Sequence, residues 1–283
     1  MEIARSAAEL RAAGLRMRRA GQRVAFVPTM GALHEGHLAL VRRGRELADR
    51  AVASVFVNPA QFGPDEDLAR YPRQPERDAE LLAGAGCDLL FLPEGETIYP
   101  RGHATFVDLG GAALGLEGDR RPGHFRGVAT VVTALFHLVE PELAVFGEKD
   151  AQQLAVIRQL ARDLHFPIEI VGHPTVREPD GLAMSSRNAF LAPGERRAAR
   201  VIYRALEAAR AAIAAGERRA AVLRDRMLEV LAAEPACAPE YAEVVDAETF
   251  QPVAEARGRV VLPIAARLGS TRLIDNLQLE VAS

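Results

Sequence analysis

Two histidines three positions apart mark the first candidate site. His34 and His37 lie in the segment PTMGALHEGH at 28–37, between an apolar run and a predicted helix. The start of a helix offers free backbone N–H groups and the positive end of the helix dipole, which both favour an anion. Imidazoles there predict a phosphate-binding turn that donates hydrogen bonds to charge developing during a reaction. A structural histidine pair and a two-histidine metal site stay open, although the spacing is one position short of the metal-hydrolase helix pattern.

The second candidate is a lysine loop. Lys149 is the sole lysine among 35 basic residues, and it lies in Gly147-Glu148-Lys149-Asp150. A compact ammonium with rotatable donors suits a moving phosphate better than the planar fork of arginine. Its retention in an arginine-rich chain predicts catalytic chemistry, with chance as the alternative. Neither a Walker A loop nor a G-x-G-x-x-G turn is present, so any nucleotide is bound by other means.

Three further polar segments follow predicted elements. Met184-Ser185-Ser186-Arg187-Asn188 concentrates donors that suit phosphate oxygens, or else caps the next helix. Asn58 and Gln61 either hold a small polar substrate through neutral hydrogen bonds or form a turn. The segment RPGHF at 121–125 either covers the substrate or is an ordinary connection.

Apolar runs and helical spacing alternate through the first part of the chain. Strands are predicted at 24–27, 51–57, 88–92, 143–146 and 168–171, and helices at 6–20, 36–49, 75–85, 127–139 and 150–164. Strict alternation, with strands apolar on both faces, predicts a Rossmann-like α/β domain whose parallel sheet is covered on both sides. Such sheets bind ligands at the carboxyl ends of their strands, where the candidate loops lie.

The composition pattern changes after about residue 190. A helix is predicted from 193 to 215 and a second one to about 232, followed by strands at 241–245, 260–265 and 271–274. This pattern predicts a smaller α+β domain. The boundary falls near 177–190, and we place the two domains at 1–180 and 181–283.

Composition excludes several classes of protein. The chain has 283 residues, 49% of them apolar, and 35 basic against 38 acidic residues give a net charge of −3. The length and apolar content predict a buried core. The near-equal numbers of basic and acidic residues predict no nucleic-acid or anionic-membrane partner. Two cysteines are too few for a disulfide framework. No apolar run approaches the roughly 20 residues of a bilayer span, and no signal peptide is evident, so we expect a soluble cytoplasmic protein.

Taken together, the motifs resemble the pantothenate synthetase (pantoate–β-alanine ligase) family of the HxGH nucleotidyltransferase superfamily. The resemblance spans essentially the whole chain and rests on PTMGALHEGH at 28–37, FVNPAQFG at 56–63, DLARYPR at 67–73, RPGHFRGV at 121–128, GEKDAQQL at 147–154, PTVREPDGLAMSSRN at 174–188 and the C-terminal EVVDAETFQPV and TRLIDN. It departs at Ala151, where the family usually has an aromatic residue. The resemblance implies that pantoate attacks the α-phosphate of ATP to form pantoyl adenylate, and that β-alanine then displaces AMP.

The resemblance also implies roles for individual residues. His34, His37 and Lys149 are implied to be catalytic, with His37 as proton donor. ATP contacts are implied for Met30, Gly31, Ala32, Leu33, His34, Glu35, Gly36, His37, Gly147, Glu148, Lys149, Asp150, Val176, Met184, Ser185, Ser186 and Arg187. Gln61 and Gln153 are implied to bind pantoate, and Gln61 also β-alanine. Mg²⁺ with unassigned protein ligands, a homodimer and a lid formed by the C-terminal domain complete the expectation.

Two other functions stay open at this point. A related nucleotidyltransferase would adenylate a phosphate, but a phosphate acceptor calls for more cations than Gln61 and Gln153 provide. A regulator without catalysis would bind ATP without turnover, and the complete set of His34, His37 and Lys149 disfavours it.

Overall fold

The N-terminal part of the protein alternates strands with helices. The computed structural model describes residues 1–64 and 66–282. In chain order the elements of this part are β1 (Glu2–Ala4), α1 (Ala7–Arg19), β2 (Val24–Thr29), α2 (Glu35–Leu47), β3 (Arg50–Val55), α3 (Pro75–Gly84), β4 (Leu89–Phe91), α4 (Gly95–Ile98), α5 (Glu117–Arg120), α6 (His124–Val139), β5 (Leu143–Gly147), α7 (Ala151–Asp163) and β6 (Glu169–His173). Short 3₁₀ turns lie at Pro59–Gln61, Asp67–Arg70, Gly111–Ala113 and Glu148–Asp150.

The six strands form one parallel sheet in the order β1-β4-β3-β2-β5-β6. The strand order reverses between β2 and β5, and doubly wound sheets bind their ligands at such a reversal. The pairing of these two strands ends at Phe26 and Ala144, whereas the strands continue to Thr29 and Gly147. Their carboxyl ends therefore separate and open a crevice.

Helices cover both faces of this sheet because its central strands are apolar on both sides. Phe26 of β2 packs in a cluster with Phe136 of α6, whereas Val27 packs on the opposite face with Val41 of α2. The predicted α/β class is confirmed, and every predicted strand and helix of this part is present with small shifts at its ends. Sequence analysis misses β1, an edge strand that buries only Ala4 and is too short to show a period.

The C-terminal part contains a smaller antiparallel sheet. Its elements are α8 (Pro193–Ala198), α9 (Arg200–Ala214), α10 (Ala220–Ala232), β7 (Cys237–Ala242), β8 (Val245–Asp246), β9 (Gly258–Leu268) and β10 (Thr271–Val281), after a 3₁₀ turn at Ser186–Phe190. The sheet runs β10-β9-β7, with β8 paired to β9. The helices α9 and α10 bury Leu206 and Leu223 against Leu262 of β9. The predicted α+β class is confirmed.

Several predicted bounds in this part are wrong. The predicted strand at 260–265 is the middle of β9, and the predicted strand at 271–274 is only the first part of β10; both strands are eleven residues long. Polar residues such as Arg259 and Arg267 interrupt the apolar runs of the sequence. They do not interrupt the pairing of β9 with β10, because their side chains occupy exposed positions. The strand at 241–245 is two strands, and the helix at 193–215 is two helices that meet at Ala199.

Apolar and polar contacts join the two parts. Phe125 of α6 packs in a cluster with Val261 of β9. The carboxylate of Glu117 accepts hydrogen bonds from the Tyr241 hydroxyl at 2.7 Å and from Arg272 at 2.6 and 2.8 Å. The division at residues 180 and 181 stays a prediction. Within residues 1–64 and 66–282, no helix has both the length and the apolar character needed to cross a bilayer.

Candidate active site

A cavity of about 220 Å³ lies where β2 and β5 separate. The loops after β2, β3, β5 and β6 converge on it. The predicted site residues that line it are Met30, His34, Gly36, His37, Gln61, Gly147, Lys149, Asp150, Gln153, Val176, Met184, Ser185, Ser186 and Arg187. The fold therefore brings the histidine pair, the lysine and both glutamines to one place.

Five residues with a predicted ATP contact do not line this cavity: Gly31, Ala32, Leu33, Glu35 and Glu148. Leu33 is buried in the core, and Glu35 is exposed and paired with an arginine of its own helix. ATP contacts stay predictions for these five residues and for those that line the cavity.

The two histidines cap the start of α2 reciprocally. His34 is the N-cap residue, and its Nδ1 accepts a hydrogen bond from the Gly36 amide at 3.2 Å. The Nδ1 of His37 accepts a longer bond of 3.4 Å from the His34 amide. Because a backbone amide donates to each Nδ1, the proton of each neutral ring is assigned to Nε2. Both rings therefore carry one N–H donor on the nitrogen that the helix cap leaves unused.

Burial also decides the charge of these rings. Desolvation, with the nearby Lys149 ammonium, lowers the pKa of His34 to about 4. Desolvation, with the neighbouring His34, lowers the pKa of His37 to about 3. The ring centroids are 4.1 Å apart, too close for two desolvated cations. Near pH 7 the pair therefore consists of neutral hydrogen-bond donors.

Asp78 of α3 holds the turn before these histidines, and sequence analysis misses it. The carboxylate is 1% exposed and accepts hydrogen bonds from the amides of Ala32 at 3.0 Å and Leu33 at 2.9 Å. Gly31 and Ala32 both adopt positive φ, 82° and 51°, and a Cβ at Gly31 would lie 2.8 Å from Asp78 Oδ2. Glycine is required at the first position, and the carboxylate compensates the strained backbone of the second. An isolated aspartate in an amphipathic helix gives no sequence signal of this role.

Lys149 faces the histidines from the loop after β5. Its Nζ lies 3.2 Å from Asp150 Oδ1, and its side chain is 21% exposed. The Asp150 carboxylate thus pairs with the lysine ammonium, and the positive charge of Lys149 lies beside two neutral imidazoles.

A chain of amides orients Gln61. Asn58, which is 1% exposed, donates from Nδ2 to Gln61 Oε1 at 2.9 Å and to the Gly127 carbonyl at 3.1 Å, and it accepts from the Tyr99 hydroxyl at 2.8 Å. Because the Gln61 oxygen is occupied, its Nε2 is the group directed towards the cavity, beside Met30 Sδ at 3.2 Å. Gly127 permits this arrangement, since a Cβ there would overlap the backbone of the turn that precedes Gln61.

The segment RPGHF at 121–125 supports Gln61 from behind. His124 Nδ1 lies 2.9 Å from the Gln61 carbonyl, and its Nε2 lies 2.9 Å from an Arg121 nitrogen that can only donate. This assigns the proton to Nδ1. Desolvation and the Arg121 charge lower the pKa of His124 to about 4. These residues line a second cavity of about 100 Å³, which adjoins the first and lies between the two parts of the chain.

The structure confirms a capping role for the serine motif, whereas its contact with phosphate oxygens stays a prediction. Ser185 caps the 3₁₀ turn by accepting from the Arg187 amide at 3.2 Å, and it also lines the large cavity. A two-histidine metal site gains no support, because in the described part of the chain no three His, Cys, Asp or Glu side chains are grouped to hold an ion.

Comparison with known proteins agrees with this geometry. The family model for pantoate–β-alanine ligase matches residues 2–278. The pantothenate synthetase of Heliobacterium modesticaldum is 52% identical over 281 residues, covering 99% of this chain and 100% of that protein. The pantothenate synthetase of Rubrobacter xylanophilus is 55% identical over 285 residues, covering 98% of each.

Solved structures show the same similarity in three dimensions. The crystal structure of pantothenate synthetase from Thermus thermophilus superposes with a TM-score of 0.93 at 52% identity, covering 100% of both chains. Pantoate–β-alanine ligase from Francisella tularensis, in complex with β-γ ATP and β-alanine, gives a TM-score of 0.78 at 33% identity, covering 98% of this chain and 97% of that one. With the loops of the cavity in the positions described, the chain belongs to the pantoate–β-alanine ligase family, the pantothenate synthetases.

Proposed function

We propose that the protein joins (R)-pantoate to β-alanine at the expense of ATP, through a pantoyl-adenylate intermediate. The observation that carries the proposal is the convergence of two neutral imidazoles and the sole lysine on one crevice at the strand-order reversal. ATP as substrate is supported by the Francisella tularensis relative, whose structure is a complex with β-γ ATP and β-alanine.

In the first step a pantoate carboxylate oxygen bonds to the α-phosphorus, and the bond from that phosphorus to the bridging oxygen breaks to release diphosphate. Negative charge accumulates on the phosphate oxygens, so hydrogen-bond donors are needed rather than a protein nucleophile. The Nε2–H groups of His34 and His37 and the ammonium of Lys149 supply them in this proposal. At a pKa of about 3, His37 acts as a hydrogen-bond donor before any proton transfer.

In the second step the neutral amine of β-alanine bonds to the acyl carbon, AMP leaves with the electrons of the acyl–oxygen bond, and the nitrogen releases one proton to water to become the amide. The amide donor of Gln61 and the amide of Gln153 are proposed to bind the oxygens of pantoate. One wall of the cavity is apolar, formed by Val128, Val131 and Leu135, and it suits the two methyl groups of pantoate. An acceptor phosphate would be poorly matched to that wall and to two neutral amides.

Mg²⁺ enters the proposal as part of the Mg·ATP substrate. Across residues 1–64 and 66–282 no three metal-ligating side chains are grouped, so no step is assigned to an ion held by the protein. Phosphate oxygens and water supply the ligands that Mg²⁺ prefers. A cytoplasmic location, a homodimer and a lid role for the C-terminal part are proposed from family membership.

Product formation from defined substrates tests the function. With ATP, Mg²⁺, (R)-pantoate and β-alanine, we expect AMP, diphosphate and pantothenate in equal amounts. Without β-alanine, we expect about one equivalent of enzyme-bound adenylate and diphosphate per active site. (S)-Pantoate and a phosphorylated acceptor serve as controls. Diphosphate release that does not require pantoate, or transfer of AMP to the phosphorylated acceptor, would exclude the proposed reaction.

A further inference from the structure

Asn276 connects the C-terminal sheet to the lysine loop. It lies on β10 and is 4% exposed. Its Nδ2 donates to the backbone carbonyls of Glu148 and Lys149, both at 2.9 Å. Two carbonyl acceptors require the amide nitrogen on this side, so the side-chain orientation is determined by its partners. One residue of the C-terminal part thus contacts the backbone of the lysine itself.

Neighbouring residues hold Asn276 in place. It lies opposite Pro263 of β9, which has no N–H for the ladder. Arg177 supplies a donor to the Asn276 carbonyl at 3.1 Å and forms a two-pronged ion pair with Asp275 at 2.6 and 3.0 Å. The Asp275 carboxylate in turn accepts a hydrogen bond from the backbone amide of Asn276 at 2.7 Å. Where Pro263 provides no N–H to the β9–β10 hydrogen-bond ladder, Arg177 and Asp275 therefore fix the backbone that carries the Asn276 side chain.

The lysine loop has little support of its own. Residues Glu148–Asp150 form a single 3₁₀ turn without a side-chain cap. The carbonyls at the end of so short a turn have no partner within it and need donors from elsewhere, and such donors fix the orientation of the turn's backbone. Asn276 satisfies two of these carbonyls at once, one of them on Lys149.

We propose that Asn276 is a positioning residue that orients Lys149 towards the reacting phosphate. The proposal rests on the proposed function for its effect on rate, since it assigns Lys149 to the adenylation step. The C-terminal part then does more than cover the site, because adenylation depends on a hydrogen bond that crosses between the two sheets.

Kinetics of single variants give the first test. For Asn276→Ala we expect the adenylation kcat to fall by about tenfold to a hundredfold, as for small misplacements of a catalytic group, with KM for pantoate unchanged. Asn276→Asp, which keeps the shape but places an acceptor against two carbonyls, should lose at least as much. The matched control is Gln278→Ala, two residues along the same strand. Equal losses in the control, or a change confined to KM, would overturn the proposal.

A double-mutant cycle separates positioning from general structural damage. In a Lys149→Ala background, Asn276→Ala should lower the rate no further, because the group that it orients is already absent. Full multiplication of the two losses would show that Asn276 does not act through Lys149, and would overturn the proposal.

The single lysine of the chain gives a readout that needs no turnover. Protein labelled with ¹³Cε-lysine should show one side-chain NMR resonance, from Lys149. We expect Asn276→Ala to shift or broaden that resonance and Gln278→Ala to leave it in place; an unchanged resonance in Asn276→Ala would overturn the proposal. If the wild-type protein fails to form pantothenate, the proposed function fails, whereas this resonance still decides whether Asn276 positions Lys149.

Discussion

The histidine loop (30–37) and the lysine loop (147–150) face the same cavity but are supported differently. The histidine loop is held within its own sheet and helix layer, by the Asp78 carboxylate and by the reciprocal cap of His34 and His37. The lysine loop is bound by Asn276 of the other sheet. One side of the cavity is therefore held by contacts within the α/β part, and the other side is also held by the C-terminal sheet.

The two loops also differ in charge. Burial keeps the imidazoles neutral, whereas Lys149 is paired with Asp150 and charged. A neutral, rigid donor costs little to desolvate, and a charge costs more, so a single ammonium is placed where it remains 21% exposed. The histidine loop therefore provides neutral donors in fixed positions, and the lysine loop provides a positive charge.

Replacing the lysine should give the largest effect. For Lys149→Arg we expect a loss of about a hundred- to a thousandfold in the adenylation rate, the range for losing one transition-state donor, with an unchanged melting temperature. The planar guanidinium keeps the charge but cannot follow the same geometry. Single-turnover release of diphosphate measures the step.

Two comparison variants interpret that result. Lys149→Ala should be similarly slow, and Arg43→Lys, on an exposed face of α2, should leave the rate unchanged. A Lys149→Arg enzyme near the wild-type rate would mean that the site needs only a positive charge. The two loops would then differ only in which parts of the chain hold them in place.

Replacing Asp78, whose carboxylate holds the histidine loop, should have an effect of intermediate size. Asp78→Asn keeps the volume but offers one acceptor to two buried amides, so it should destabilise the protein by about 1–3 kcal/mol. With Ala32 at positive φ no longer held, we expect the adenylation rate to fall by about tenfold. Denaturant unfolding and single-turnover kinetics measure the two effects.

Glu80→Gln, on the same helix, is the matched control. Its charge change should alter neither measurement by much, because the Glu80 side chain is exposed. If Asp78→Asn leaves both stability and rate intact, the loop is held by its own backbone, and the comparison of local with distant support fails.

The residues that line the cavity are easier to predict from the sequence than the residues that hold them in place. His34, Lys149 and Gln61 lie at the ends of predicted strands, where the pattern of a parallel sheet already brings loops together. The alternation of apolar runs is sufficient for that sheet, since each strand is buried on both faces. Local periodicity therefore predicts both the sheet and the edge at which the cavity lies.

Asp78 and Asn276 could not be predicted in this way. Each is separated in sequence from the loop that it holds, by 46 residues from Ala32 in one case and by 127 from Lys149 in the other. Periodicity reports which face of an element is buried, but not which element of the chain packs on it. The lengths of β9 and β10 are missed for the same reason, because pairing between these strands tolerates polar residues that end an apolar run.

The smallest expected effect concerns the pH dependence of stability at the histidine loop. The pKa of His34 is about 4 in the folded protein against 6.5 for an unperturbed histidine, so the unfolded chain takes up the proton first as the pH falls. Stability from this group is complete above pH 6.5 and declines towards pH 4, by about 1 kcal/mol between pH 7 and 5 after allowance for partial exposure. His34→Asn retains a favoured N-cap acceptor and should flatten this decline in urea unfolding. As a control, replacement of the exposed His165 by Asn should leave the decline of stability with pH unchanged. An equal decline in the wild type and both variants would show that the histidine loop does not keep the His34 imidazole neutral.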